Sequence, residues 1–154
     1  YQDIVKQSIT FFLSEVVSNV IQEEETNSAL YDFLESSFHW LDSHEKISNF
    51  HLVFLVKLTS FLGFYPDTSE ADKKGFHLLE GFFTDETYDK NVISENVFFL
   101  FKKLLNVNFE NSDQLSFSKF ERQKVLQVLI SYYKLHIDSF RNPKSLDVLE
   151  AVFR

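Results

Sequence analysis

The chain has no cysteine and no methionine, and only three glycines and two prolines in 154 residues. Without cysteine there is no disulfide and no thiolate metal site, and the composition fits a reducing compartment. So few turn residues exclude a many-stranded sandwich or barrel. Long helices with little punctuation fit better. No apolar run approaches the roughly 18 residues that cross a membrane. The greasiest stretch, 49–63, is broken by His51 and Lys57. There is no signal-peptide pattern, no glycine-rich phosphate loop and no Gly-x-Ser-x-Gly nucleophile elbow. The sequence opens at Tyr1 inside a helical pattern, and it reads as a piece of a longer protein.

What the chain has in abundance is phenylalanine, 19 residues of it. A chain of this length buries roughly 70% of the surface it exposes when unfolded, so one sizeable core forms without staples. The expectation is a single helical domain over 1–154. Its formal charge of −8 is unevenly spread. The first 97 residues carry 6 basic and 17 acidic side chains, and the remainder 9 and 6. A uniformly acidic domain repels nucleic acid, whereas a polarised one still presents a basic face.

Hydrophobic spacing predicts about six helices. Ile4, Ile9, Phe12, Leu13, Val16, Val17, Val20 and Ile21 recur at three and four residue steps, giving a helix over about 3–23. Glu23, Glu24 and Glu25 oppose the dipole at its end and help to stop it. Asn27 is the N-cap of a second helix, about 28–41. A third, about 48–61, is apolar nearly all round and belongs at the centre. Gly63 and Pro66 close it. A fourth covers about 94–105. Ser118 and Glu121 form a capping box that opens the fifth, about 118–137. The sixth covers about 144–153. The stretch from about 67 to 88 differs, with two of the three glycines and many charges. It reads as an irregular insertion with room for a short hairpin. Phe76, Leu78 and Phe82 are expected to pack it onto the helices. The predicted fold is all-α, a compact bundle of about six helices with this small insertion.

Leu62-Gly63-Phe64-Tyr65-Pro66, Phe76 with Glu80-Gly81-Phe82-Phe83, and Lys144-Ser145-Leu146-Asp147-Val148-Leu149 occur in an order and spacing that resemble the C-terminal helical domain of the RecO family. Those proteins are bacterial mediators of DNA repair and recombination. The resemblance spans essentially the whole chain. It implies a non-catalytic fragment that supports DNA annealing and recombinase loading. The implied contacts are with single- and double-stranded DNA, the tail of single-strand-binding protein, and RecR. It also implies a bacterial cytoplasmic, nucleoid-associated location and no membrane contact. Many relatives hold zinc with four cysteines in the insertion. This chain has none, so zinc is not carried over and no cofactor is expected. The family's N-terminal OB-fold, a single-strand binding platform, is expected upstream and is not in these 154 residues.

The basic residues concentrate in the last three helices and their loops. Lys119, Arg122, Lys134, Arg141 and Lys144 are the candidate DNA- or anion-binding residues. Lysine and arginine neutralise phosphates and release counterions. The plainer reading is a solvated helix face. Lys119 and Arg122 share one face, whereas Lys102 and Lys103 splay about 100° apart. Arg141 and Lys144 flank Pro143 beside the start of the sixth helix, where backbone amides and the dipole suit an anion. The alternative there is capping by Ser145. The acidic, Phe-ending tail that the resemblance implies needs an apolar pocket beside a cation, somewhere within 98–124. Phe99 and Phe117 are the candidates to line it.

The five histidines, at 39, 44, 51, 77 and 136, show no i, i+4 pair, and surface or boundary positions are expected for them. No catalytic residue and no metal site is assigned. A helical hydrolase using His and Asp on a metal is disfavoured by that spacing. The other function class in play is a helical protein–protein interaction module without a nucleic-acid role, which the −8 charge favours.

Overall fold

The computed structural model describes residues 2–21 and 27–153. Six helices are present among them: α1 (Gln2–Val20), α2 (Ser28–Ser43), α3 (Phe50–Leu62), α4 (Glu95–Leu104), α5 (Lys119–His136) and α6 (Leu146–Val152). Between α3 and α4 lies a three-stranded antiparallel sheet of β1 (Gly75–His77), β2 (Phe82–Thr84) and β3 (Val92–Ser94), in the order β2-β1-β3. A short 3-10 turn, Ser112–Leu115, precedes α5. The fold is mostly helical with a small insertion, as the spacing predicts. The insertion runs on to Ser94 because β3 pairs with β1. The Glu23–Glu25 stop lies outside the described residues.

Local chemistry sets the helix ends. The Asn27 side chain accepts from the Leu30 amide at 3.0 Å. Gly63 closes α3 at φ 90°, a left-handed conformation that favours glycine. At α5 the Ser118 hydroxyl accepts from the Glu121 amide (3.1 Å), and the Glu121 carboxylate accepts from the Ser118 amide (2.9 Å). Each group satisfies an amide that has no partner within the helix.

α3 is the central helix. Nine of its thirteen residues are buried. Phe50 stacks on Phe109 at 4.6 Å between ring centroids, and Phe33 stacks on Phe61 at 4.8 Å. The Tyr133 hydroxyl of α5 donates to the Leu55 carbonyl at 2.6 Å, and burial pushes its pKa well up. His51 departs from the expected boundary position. It is buried on α3 and its ring stacks on Phe153 at 5.2 Å. Position 51 lies on the broad buried side of this central helix, away from exposed Ser60.

The sheet holds the insertion in place. Phe76 and Phe83 are paired across β1 and β2, and both point inward. Their rings meet edge to face at 5.1 Å, and Phe76 reaches Phe101 at 4.9 Å. Phe82 therefore corrects the expectation. It neighbours Phe83 on the strand, so it faces the other way and is 43% exposed. Gly75 is required by contact rather than conformation: a Cβ there would lie 2.7 Å from the Ile93 carbonyl oxygen.

Candidate partner and nucleic-acid interface

The sheet and α4 together make a hollow of about 440 Å³. Phe98 and Phe99 are consecutive on α4, so their side chains diverge by about 100°. Phe98 is buried against Phe83, with centroids 5.8 Å apart, and Phe99 is 57% exposed. Lys102, one turn on from Phe98, sets its ammonium 5.8 Å above the Phe98 ring. Lys73 and Lys74 enter the same hollow from the turn before β1. The Lys73 ammonium donates to Glu70 at 2.9 Å, which raises its pKa. Glu95, at the hollow's edge, takes a positive φ of 58°, which is uncommon for a residue with a Cβ. Asp72 and Glu95 line the hollow as well, so the exposed Phe99 ring stands beside three lysines and two carboxylates, which suits a ligand with an apolar end and a charged group near it.

Phe117, the other candidate for an exposed apolar wall, is 6% exposed and packs into the core. It lies next to the α5 N-cap, and its carbonyl accepts from the Arg122 guanidinium at 2.9 Å. The chain enters α5 here with its apolar side chain turned inward.

The basic residues singled out from the sequence are distributed as follows. Lys119 is exposed in the first turn of α5. Arg122 is half-buried. Its guanidinium lies 5.0 Å over the Phe153 ring as well as on the Phe117 carbonyl. Lys119 and Arg122 line one small hollow, together with His51 and Phe153. Burial, reinforced by the Arg122 charge, lowers the His51 pKa to about 3, so this histidine is neutral at physiological pH. Lys134 and Arg141 are exposed at the end of α5 and in the following loop. Lys144 is exposed and lines a different hollow, against α1. The hollows of Arg122 and Lys144 have no lining residue in common.

The backbone amides before α6 already have an anion. The Glu15 carboxylate of α1 accepts from the Lys144 amide (2.6 Å), the Ser145 amide (3.0 Å) and the Ser145 hydroxyl (2.7 Å). Burial acts to raise the Glu15 pKa. The bond from the Ser145 hydroxyl, the two amides and the Lys144 charge oppose it, and the net shift is downward. The Ser145 side chain makes no cap bond to its own helix. The anion that favours this helix start is thus an internal carboxylate.

Residues 1–147 match the family model described as "Recombination protein O C terminal". The chain belongs to the RecO family. It is 48% identical over 153 residues to the DNA repair protein RecO of Flavobacterium johnsoniae, and 43% identical to that of Flavobacterium psychrophilum. Each alignment covers 99% of this chain and 64% of the relative. The RecO of Christiangramia forsetii is 41% identical over 149 residues, covering 97% of this chain and 62% of that protein. The chain therefore spans somewhat under two thirds of the length of these relatives. No solved structure matches it. As a RecO chain it departs from the four-cysteine insertion. Among the described residues, no group of three or more His, Asp or Glu side chains is placed to hold a metal ion. The residues present do not fit structural zinc. Phe76, Phe83 and Phe98 pack together in the insertion.

The phenylalanine spacing on α4 made Phe99 visible in the sequence, whereas Lys102 was only one of many basic residues. Lys73 and Lys74 were not associated with them, because only β1–β3 pairing brings the insertion alongside α4.

Proposed function

We propose that this chain is the scaffold and partner-binding domain, one unit over 1–154, of a RecO-type mediator of DNA repair and recombination. It acts without catalysing a reaction, in the bacterial cytoplasm at the nucleoid. The carrying observation is the hollow on α4. There Phe98 and Phe99 stand beside Lys73, Lys74 and Lys102. That combination supports capture of the acidic, phenylalanine-ending tail of single-strand-binding protein. The terminal aromatic ring rests on Phe99, and the carboxylates meet the lysines. Exposed Lys119, Lys134, Arg141 and Lys144 contact DNA phosphates, with the OB-fold supplying the main grip on single strands. RecR engages the same protein during recombinase loading.

Fluorescence anisotropy of a labelled acidic peptide ending in phenylalanine tests the hollow. Phe99→Ala and Lys102→Glu are each expected to weaken binding about tenfold or more, the ratio that 1.4 kcal/mol produces. Unchanged binding in both variants would remove the tail from this hollow. Labelled single-stranded DNA, titrated at low and moderate salt, tests the phosphate contacts. Binding that weakens with salt, and with Lys119→Glu or Lys134→Glu, is the expected result.

A second reading is a helical protein–protein interaction module that does not touch nucleic acid. The net charge of −8 favours it. Binding to neither the peptide nor DNA at low salt selects that reading, whereas peptide binding without DNA binding fits a partner-binding part of the mediator.

A further inference from the structure

Helix α5 turns one polar stripe outward. Phe120, Lys124, Gln127, Ser131 and Lys134 recur at three and four residue steps, and all five are exposed. The stripe runs for about 21 Å along the helix axis. None of the five is acidic, although the chain carries 23 acidic residues against 15 basic ones. The one carboxylate of α5, Glu121, is engaged in the capping box with Ser118. Phe120 is 63% exposed in the first turn. The Lys124 ammonium lies 5.0 Å from the centre of its ring. One exposed phenylalanine is ordinary. A ring with a cation against it, on a stripe free of carboxylates in a chain of charge −8, suits an anion that also carries a flat apolar part. Lys119 stands about 100° round the helix, in the hollow with Arg122 and Glu150, and is not part of this stripe.

We propose that Phe120 is a base-stacking residue, and that it makes α5 select an unpaired nucleic-acid strand over a duplex. This rests on the DNA contact proposed above and adds the residue that tells strand from duplex. An aromatic ring stacks on any base, whatever the sequence. In a duplex both faces of a base are covered by its neighbours, so only an unpaired base offers a face to Phe120. A nucleic-acid strand couples a flat ring to a phosphate at every residue. Phe120 and Lys124, one turn apart, present a ring and a cation side by side to match that pairing. Gln127 and Ser131 offer neutral hydrogen-bond donors further along the stripe, and Lys134 a second cation. An acidic peptide brings charge without a ring at each step.

Fluorescence anisotropy at low salt tests this on the 154-residue chain, whose helices share one core. Three labelled ligands are compared: a single-stranded thymidine oligomer, the same sugar–phosphate chain without bases, and a duplex. Phe120→Ala is expected to weaken binding of the thymidine oligomer about fivefold or more, and to leave the other two within about twofold. Phe120→Trp is expected to restore the preference for the thymidine oligomer. Lys124→Glu is expected to weaken all three, because each carries the phosphate that it meets. Phe120 is exposed, so its replacement leaves the core intact, and the melting temperature of the Phe120→Ala chain checks this. Equal effects of Phe120→Ala on all three ligands, or none on any, overturn the stacking role while the phosphate contacts stand. Failure of the unaltered chain to bind any of the three removes the phosphate contacts and the stacking role together. An acidic peptide that loses affinity with Phe120→Ala, where the thymidine oligomer does not, places a protein on the stripe and overturns the proposal as well.

Discussion

Glu15 and Ser145 lie 130 residues apart, yet one carboxylate oxygen of Glu15 accepts from both the amide (3.0 Å) and the hydroxyl (2.7 Å) of Ser145. The other oxygen takes the Lys144 amide. A seven-residue helix forms weakly on its own. This latch supplies the negative charge at its start and fixes it against α1.

Glu15→Gln is expected to destabilise the fold by about 1–3 kcal/mol, the usual range for losing a charged hydrogen-bond acceptor. The folded pKa of Glu15 is lowered from 4.5, so its contribution is present above that value and fades as the pH falls below it. Chemical denaturation of wild type and Glu15→Gln at pH 7 and pH 3 checks this. The gap between the two proteins should narrow at the lower pH.

His51 carries a second pH dependence. Its folded pKa of about 3 lies below the ordinary 6.5, so the unfolded chain binds the extra proton between those values. Stability is full above about pH 6.5 and falls as the pH drops toward 3, with a slope of up to about 1.4 kcal/mol per pH unit from this group. Among the described residues its Nδ1 atom has no hydrogen-bond partner. His51→Phe retains the stacking on Phe153 and removes the proton uptake. Its unfolding free energy should therefore vary less with pH across that window than the wild type's.

Leu126 is buried on the inner face of α5, 2% exposed. Leu126→Ala is expected to cost about 2–5 kcal/mol through lost burial and the cavity left behind. Urea unfolding measures it, and a loss under about 0.5 kcal/mol would contradict the packing described.

Gly75→Ala brings a methyl group to within 2.7 Å of the Ile93 carbonyl and 2.8 Å of the Val92 side chain. Overpacking of this kind costs about 1–3 kcal/mol. The strain falls on the β1–β3 pair that carries Lys73 and Lys74 to α4. Peptide affinity at the Phe99 hollow is thus expected to fall along with stability, which anisotropy on the folded variant detects.

Periodicity and capping chemistry are local, and they were legible without the structure. The three and four residue spacing on α1, the Asn27 cap, the Ser118–Glu121 box and the Gly63 exit each act within a turn or two of the chain. The small number of glycines and prolines left helices as the consistent solution. The location of the insertion was legible too, and Phe76 and Leu78 are buried as expected, but Phe83 takes the inward place expected of Phe82. Phe82 and Phe83 are equivalent as composition, and only the register with Phe76 decides which one is buried. Tertiary structure alone decided that His51 is enclosed, that Arg122 turns back onto Phe117 and Phe153, and that Lys73 and Lys74 meet Phe99. It also gave the amides before α6 an internal partner in Glu15. Each of these depends on contacts between segments far apart in the chain. Their geometry follows from packing a whole core, and no local pattern of residues encodes it.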